Sequence, residues 1–230
     1  TRDCPSARPP QPHPTAHPTP APRTPARGPL RALHEQAVGH IVVHRARSNS
    51  WGILPGMEPT ANTQPILTRT SDAPIGIFDS GFGGLTVARD IAKKLPNESL
   101  IYLGDSARGP YGPRPLSEVD GFVQQIGSWL VSRGVKMIVI ACNTATAAGL
   151  SHAQQTLPVP VIGVVEPGAR AAAHATKNRR VGVIATKATV ESDAYTKAIR
   201  HIDAGITVFS TATPRFVDIA EQGIKMAEGP

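Results

Sequence analysis

Residues 135–150 read "VKMIVIACNTATAAGL". Up to Ala141 the stretch is an apolar run rich in Ile and Val, and after Cys142 it becomes a string of small residues with helical character. A β-branched run of this kind suits a strand buried on both faces, as in parallel sheets covered by their crossover helices. The neighbouring segments repeat the arrangement. "PIGIFD" (74–79) leads into "GLTVARDIAKKL" (84–95), and "SLIYLGD" (99–105) into "PLSEVDGFVQQIGSWLVSRG" (115–134). Beyond Pro158, "VPVIGVV" leads into "PGARAAAHAT", "RVGVIAT" into "ATVESDAYTKAIRHI", and "ITVFST" into "RFVDIAEQGIK". Strand alternating with helix identifies the fold class as α/β with doubly wound parallel sheets.

Residues 1–71 break the pattern. They hold 13 of the 23 prolines and five of the eight histidines, with no sustained apolar periodicity before Ile75. Such a stretch cannot bury enough surface to offset its ordering entropy, so a disordered tail is expected. The chain starts on Thr1 and its first methionine is Met57, so residues 1–56 are read either as an over-extended gene model or as a Pro-rich extension. Eight arginines against three acids place most of the formal charge of +7 in this tail, leaving the rest of the chain nearly neutral. A nucleic-acid role, which draws on clustered Lys and Arg, is therefore not expected. No run of 18 apolar residues occurs and the tail has no apolar secretory core, so the expectation is a cytoplasmic protein without a membrane partner. Cys4 and Cys142 are the only cysteines, and a structural disulfide is not expected.

In doubly wound sheets ligands bind beyond the carboxyl ends of the strands. The residues there are Asp79-Ser80-Gly81, Gly104-Asp105-Ser106, Cys142-Asn143-Thr144, Glu166, Thr186 and Thr211, a polar, small and acidic set that suits a small polar molecule. "FDSGFGG" (78–84) turns through three glycines into a helix, which fits either a backbone approaching an anion or a tight turn with Asp79 as cap. "RGPYGPRP" (108–115) sets Tyr111 and Gly112 at the same sheet edge, as a ligand-facing pair or as an ordinary surface loop. Cys142 ends a strand where a helix begins. A helix N-terminus favours thiolate, so a lowered pKa is expected, against the alternative of an inert buried thiol. No histidine is near it in sequence, and His152 is expected to face solvent. Thr186 and Thr189 open another helix, where their hydroxyls could hold a carboxylate or serve as a plain cap.

Taken in order, "GIFDSGFGGLTV", "YLGDSARGPYG", "IVIACNTATA", "PVIGVVEPG" and "VGVIATKATVES" resemble the glutamate racemases of the cofactor-independent aspartate/glutamate racemase superfamily. The resemblance runs from about Pro74 to the end. It implies two similar α/β domains with the active site between them, the first over 72–164 and the second, partial here, over 165–230. It implies interconversion of L- and D-glutamate for peptidoglycan synthesis without a cofactor or metal, with glutamate as small-molecule partner and a homodimer among the family's arrangements. By the same resemblance Cys142 is the first catalytic cysteine, with Asn143 and Thr144 binding substrate. Asp79 and Ser80 contact the amino-group side and assist proton transfer. Tyr111 and Gly112 match the substrate-binding Tyr-Gly pair, and Thr186 and Thr189 match hydroxyls that position a carboxylate.

Inverting an α-carbon without a cofactor requires a base on one face and an acid on the other, a task for two thiols. The family's second cysteine lies in a Cys-Thr-His motif that this sequence does not contain, Thr213 stands where relatives often have a cysteine, and Glu221 matches a glutamate behind the missing motif. The expectation is a C-terminally truncated, inactive fragment of a racemase. The alternatives are an aspartate or other amino-acid racemase, a non-catalytic binder of an amino acid or protein, and a Cys-dependent hydrolase for which nothing in the residues calls.

Overall fold

The structure is a computed structural model and describes residues 41–45, 51–53 and 72–227. Two sheets organise it. Four parallel strands, β3 (Ile75–Asp79), β4 (Leu100–Gly104), β5 (Met137–Ile140) and β6 (Val161–Gly163), form the body of the larger one in the order β4-β3-β5-β6. Every residue of β3 and β4 is buried, as their unbroken apolar runs require. Successive side chains point to opposite faces of a strand, so the odd and even positions enter different cores. Ile75, Ile77, Val139 and Ala141 pack with Ala88 and Ala92 of helix α1 (Leu85–Lys94). Phe78, Ile138 and Ile140 pack instead with Val119, Val123, Ile126 and Leu130 of α2 (Leu116–Ser132), joined by Ala145 and Ala153 of α3 (Asn143–Thr156). Helices on both faces make the sheet doubly wound, as the alternation of runs indicates.

The second sheet pairs β7 (Arg180–Ala185) with β8 (Thr207–Ala212) in parallel. Helices α4 (Val165–Ala175) and α6 (Ala194–Ile202) bury Ala169, Ile199 and Ile206 against one side of it. The short α5 (Lys187–Glu191) follows β7, and α7 (Pro214–Ala227) follows β8. Ile184, Phe209, Phe216 and Ile219 stay exposed, so this sheet is much less covered than the first. No hydrophobic cluster among the described residues spans both sheets.

The reading of residues 1–71 as disordered requires correction where they are described. Residues 41–45 form β1 and 51–53 form β2, and β1 pairs antiparallel with the outer edge of β4 from Ile41↔Gly104 to Arg45↔Leu100. The physical reason is local. No proline occurs between Pro29 and Pro55, and Ile41-Val42-Val43 is a β-branched run beside an edge strand with unpaired backbone groups. The remainder of 1–71 lies outside the described residues.

Candidate active site

The carboxyl ends of β3, β4 and β5 meet the start of α5, and the loops between them bring the residues singled out from sequence together. Asp79 ends β3 and is nearly buried, with Oδ2 accepting the backbone N–H groups of Gly81 at 3.2 Å and Gly84 at 3.0 Å. It therefore ties the turn together, while α1 itself starts on Gly84 without a side-chain cap. The approach is close: a Cβ on Gly84 would lie 2.6 Å from Asp79 Cβ and 2.9 Å from Ala141 Cβ, which only glycine avoids.

Cys142 is the N-cap of α3, and its sulfur accepts the Ala145 N–H at 3.4 Å. It also lies 3.7 Å from Ser80 Oγ, so the turn after β3 faces the thiol directly. The expected lowering of its pKa is not found. Burial first, and the Asp79 carboxylate second, push the thiol up to about 11, against the smaller pull of the Ala145 N–H and Ser80. A helix end offers partial charge at one point, whereas desolvation and a neighbouring anion both oppose a second negative charge.

Thr144, next on α3, reaches across to the other sheet. Its hydroxyl lies 2.9 Å from Thr186 Oγ1 and 3.3 Å from Thr189 Oγ1, and the last two are 3.0 Å apart. Thr186 is the N-cap of α5 and accepts the Thr189 N–H at 3.4 Å, so the capping role and the cluster coexist. Asn143 accepts the Tyr195 hydroxyl at 2.7 Å.

Gly112 makes the second link between the sheets. Its carbonyl accepts the Ala188 N–H at 3.1 Å, and a Cβ on it would lie 2.7 Å from Thr186 Cβ. Tyr111 behaves differently from its neighbour. Its ring is buried against Phe122, and its hydroxyl donates to Asp105 Oδ2, which also receives Arg108 Nε at 2.6 Å. Burial and Asp105 raise the Tyr111 pKa, so the phenol remains a donor, and any ligand contact of the Tyr-Gly pair falls to its backbone. Arg108 also donates to Gln125 at 2.7 Å and stacks on Phe122. This Asp105–Arg108–Tyr111 network sets the loop's path. The signal in sequence is an acid directly after a strand with Arg and Tyr three and six residues on.

Other candidates are not brought in. Glu166 is exposed and pairs with Arg170, and Thr211 sits within β8, exposed. His152 pairs with Asp120 at 2.8 Å, away from Cys142, which removes support for a Cys-His hydrolytic pair. Thr213 lies against the carbonyl of Ala185, while Glu221 falls on α7 with its side chain outside the described residues. A cleft of about 430 Å³ beside β7 is lined by Asn143, Thr186, Thr189 and Tyr195; Cys142 and Asp79 do not line it. Among the described residues no three His, Cys, Asp or Glu side chains converge to hold a metal, and no helix is long and apolar enough to cross a membrane.

Residues 76–228 match the model of a family described as Asp/Glu/Hydantoin racemase. A glutamate racemase of Staphylococcus haemolyticus is 54% identical over 149 residues, which cover 65% of this chain and 56% of that protein. One of Exiguobacterium sibiricum is 54% identical over 147 residues, 64% of this chain and 54% of that one. A crystal structure of a glutamate racemase isoform from Bacillus anthracis superposes with a TM-score of 0.65 at 44% identity, over 69% of this chain and 60% of that one. That of the Francisella tularensis glutamate racemase in complex with D-glutamate gives 0.62 at 40% identity, over 66% and 57%. The chain spans about half the length of the curated relatives it matches.

Proposed function

The chain belongs to the Asp/Glu/Hydantoin racemase family, and from that premise we propose that the whole protein carrying these residues interconverts L- and D-glutamate by proton transfer at the α-carbon. In this reading Cys142 handles the proton on one face. What supports it is the thiol's placement: on a helix N-terminus, 3.7 Å from Ser80, beside the Asp79 carboxylate and next to Thr144. A thiol pushed up to about 11 is a poor resting base at neutral pH. An α-ammonium bound between Asp79 and Ser80 cancels the repulsion that Asp79 exerts, and the thiolate then becomes accessible where it is needed. Thr144, Thr186 and Thr189 offer three hydroxyls to a carboxylate, with the backbone of Gly112 alongside. Donors fixed in advance in this way stabilise the negative charge that develops as the proton leaves.

The opposite face needs a second proton-handling group. The sequence has only Cys4 besides Cys142, and we assign that group to a cysteine of the whole protein outside this chain. The product serves peptidoglycan synthesis, and the two units divide between Val164 and Val165 in the same reading.

Incubating the purified chain with L- and with D-glutamate in D₂O, and following the α-deuterium by mass spectrometry, tests it. The expected result is wash-in for one enantiomer and no net inversion. Net racemisation by this chain would refute the two-thiol division. Exchange of neither enantiomer, together with unaltered racemisation by a Cys142→Ala variant of the whole protein, would refute the assignment of Cys142.

A further inference from the structure

Asp79 and Ser80 project from a turn that contains three glycines, Gly81, Gly83 and Gly84, and such a turn has little rigidity of its own. What holds it comes from β4. Tyr102 and Gly104 are two residues apart on that strand and share one face of the sheet. The Tyr102 ring is fully buried, and its hydroxyl donates to the Gly81 carbonyl at 2.7 Å. Gly104 supplies the space: a Cβ there would collide with the same Gly81 oxygen. One step along, a Cβ on Gly109 would meet the Ser80 carbonyl oxygen at 2.5 Å. The two carbonyls of the turn are thus seated on two glycines, and Tyr102 is the side chain that bonds to one of them. Gly81 in turn gives its N–H to Asp79 Oδ2, so a fixed Gly81 means a fixed carboxylate.

We propose that Tyr102 is a positioning residue, whose hydroxyl, with the gap left by Gly104, seats the Gly81 carbonyl and so holds Asp79 and Ser80 against the Cys142 thiol. Burial and the Asp79 carboxylate raise the Tyr102 pKa, which keeps the hydroxyl protonated and donating. The bearing on catalysis rests on the racemase reading, but the positioning itself is measurable without substrate.

The test is the pH dependence of Cys142 alkylation by iodoacetamide in the full chain, read from the mass of the Cys142 peptide, for wild type and Tyr102→Phe. The titratable groups that face Cys142 are Asp79, Tyr102 and Tyr111. Loosening the turn admits water and moves Asp79 away, the two causes of the raised thiol, so the midpoint falls by about one pH unit. Amide exchange at Gly81 and Gly84 rises roughly 2–10-fold, as for one lost hydrogen bond, while Ile138 in the core keeps its rate. Gly104→Ala, which displaces the same carbonyl with Tyr102 intact, gives the same shift and serves should Tyr102→Phe fail to fold. Midpoint and exchange unchanged in either folded variant overturns the proposal, as does unprotected exchange of the Gly81 and Gly84 amides in the wild-type chain. Unaltered racemisation by a Tyr102→Phe variant of the whole protein, with these readings as expected, would count against the bearing on catalysis alone.

Discussion

Gly112→Ala probes the joint between the two sheets. The added methyl would sit 2.7 Å from both Cβ and Cγ2 of Thr186. Carbon atoms in contact prefer about 3.5–4.0 Å, so one side must give way by about 1 Å. Thr186 is poorly placed to yield, because its hydroxyl is engaged with Thr144, Thr189 and the Thr189 N–H. Moving the loop instead strains the bond from Ala188 N–H to the Gly112 carbonyl, 3.1 Å long in the native chain. Overpacking of this kind costs about 1–3 kcal/mol, equivalent to a factor of roughly 5–150 in an equilibrium constant. Amide exchange at Ala188 should accelerate by a factor in that range while the core amide of Ile138 is unaffected. A native exchange rate at Ala188 in a folded Gly112→Ala chain would refute the idea that this contact locks the sheets together.

Cys142 links stability to alkaline pH. Its folded pKa of about 11 lies above the ordinary thiol value of 9.0, so its contribution is complete below pH 9 and is lost as pH rises through 11. At 1.36 kcal/mol per unit, the loss is about 3 kcal/mol, and the difference in urea midpoint between wild type and Cys142→Ala should change by that order across the window. Thr186→Val removes the cap of α5 and two hydroxyl contacts, and should lower unfolding stability by about 1–2 kcal/mol in urea titration. Arg108→Met removes the guanidinium that pairs with the buried Asp105 carboxylate at 2.6 Å and should lower the thermal midpoint. Asp79→Asn should bring the Cys142 alkylation midpoint below 11 by removing the like charge, with burial still holding it above 9.0.

Much of this architecture is legible in the chain itself, because strands such as Ile75–Asp79 and Met137–Ile140 are β-branched runs that end abruptly in small polar residues. Cys142 announces its place as a cap by sitting where such a run stops. The local pattern does not carry what depends on approach through space. The helix end at Cys142 suggests a lowered pKa, and the burial and the Asp79 charge that reverse it come from 63 residues away. Tyr111 looks ligand-facing until Asp105 claims its hydroxyl, and β1 is hidden by averaging proline over 71 residues when its own window holds none. Tyr102 reads as one more apolar strand residue, since nothing in "SLIYLGD" indicates that its oxygen meets Gly81.

Among the described residues the seam between the sheets is made by hydroxyls, an amide and a glycine carbonyl, and no cluster of buried apolar residues crosses it. Water can replace each of those partners at a net expense of only about 0.5–1.5 kcal/mol. The four polar contacts across the seam together are worth about 2–6 kcal/mol on that scale. In the proposed reading, the hydroxyls that would grip a substrate carboxylate are the same ones that join the two sheets.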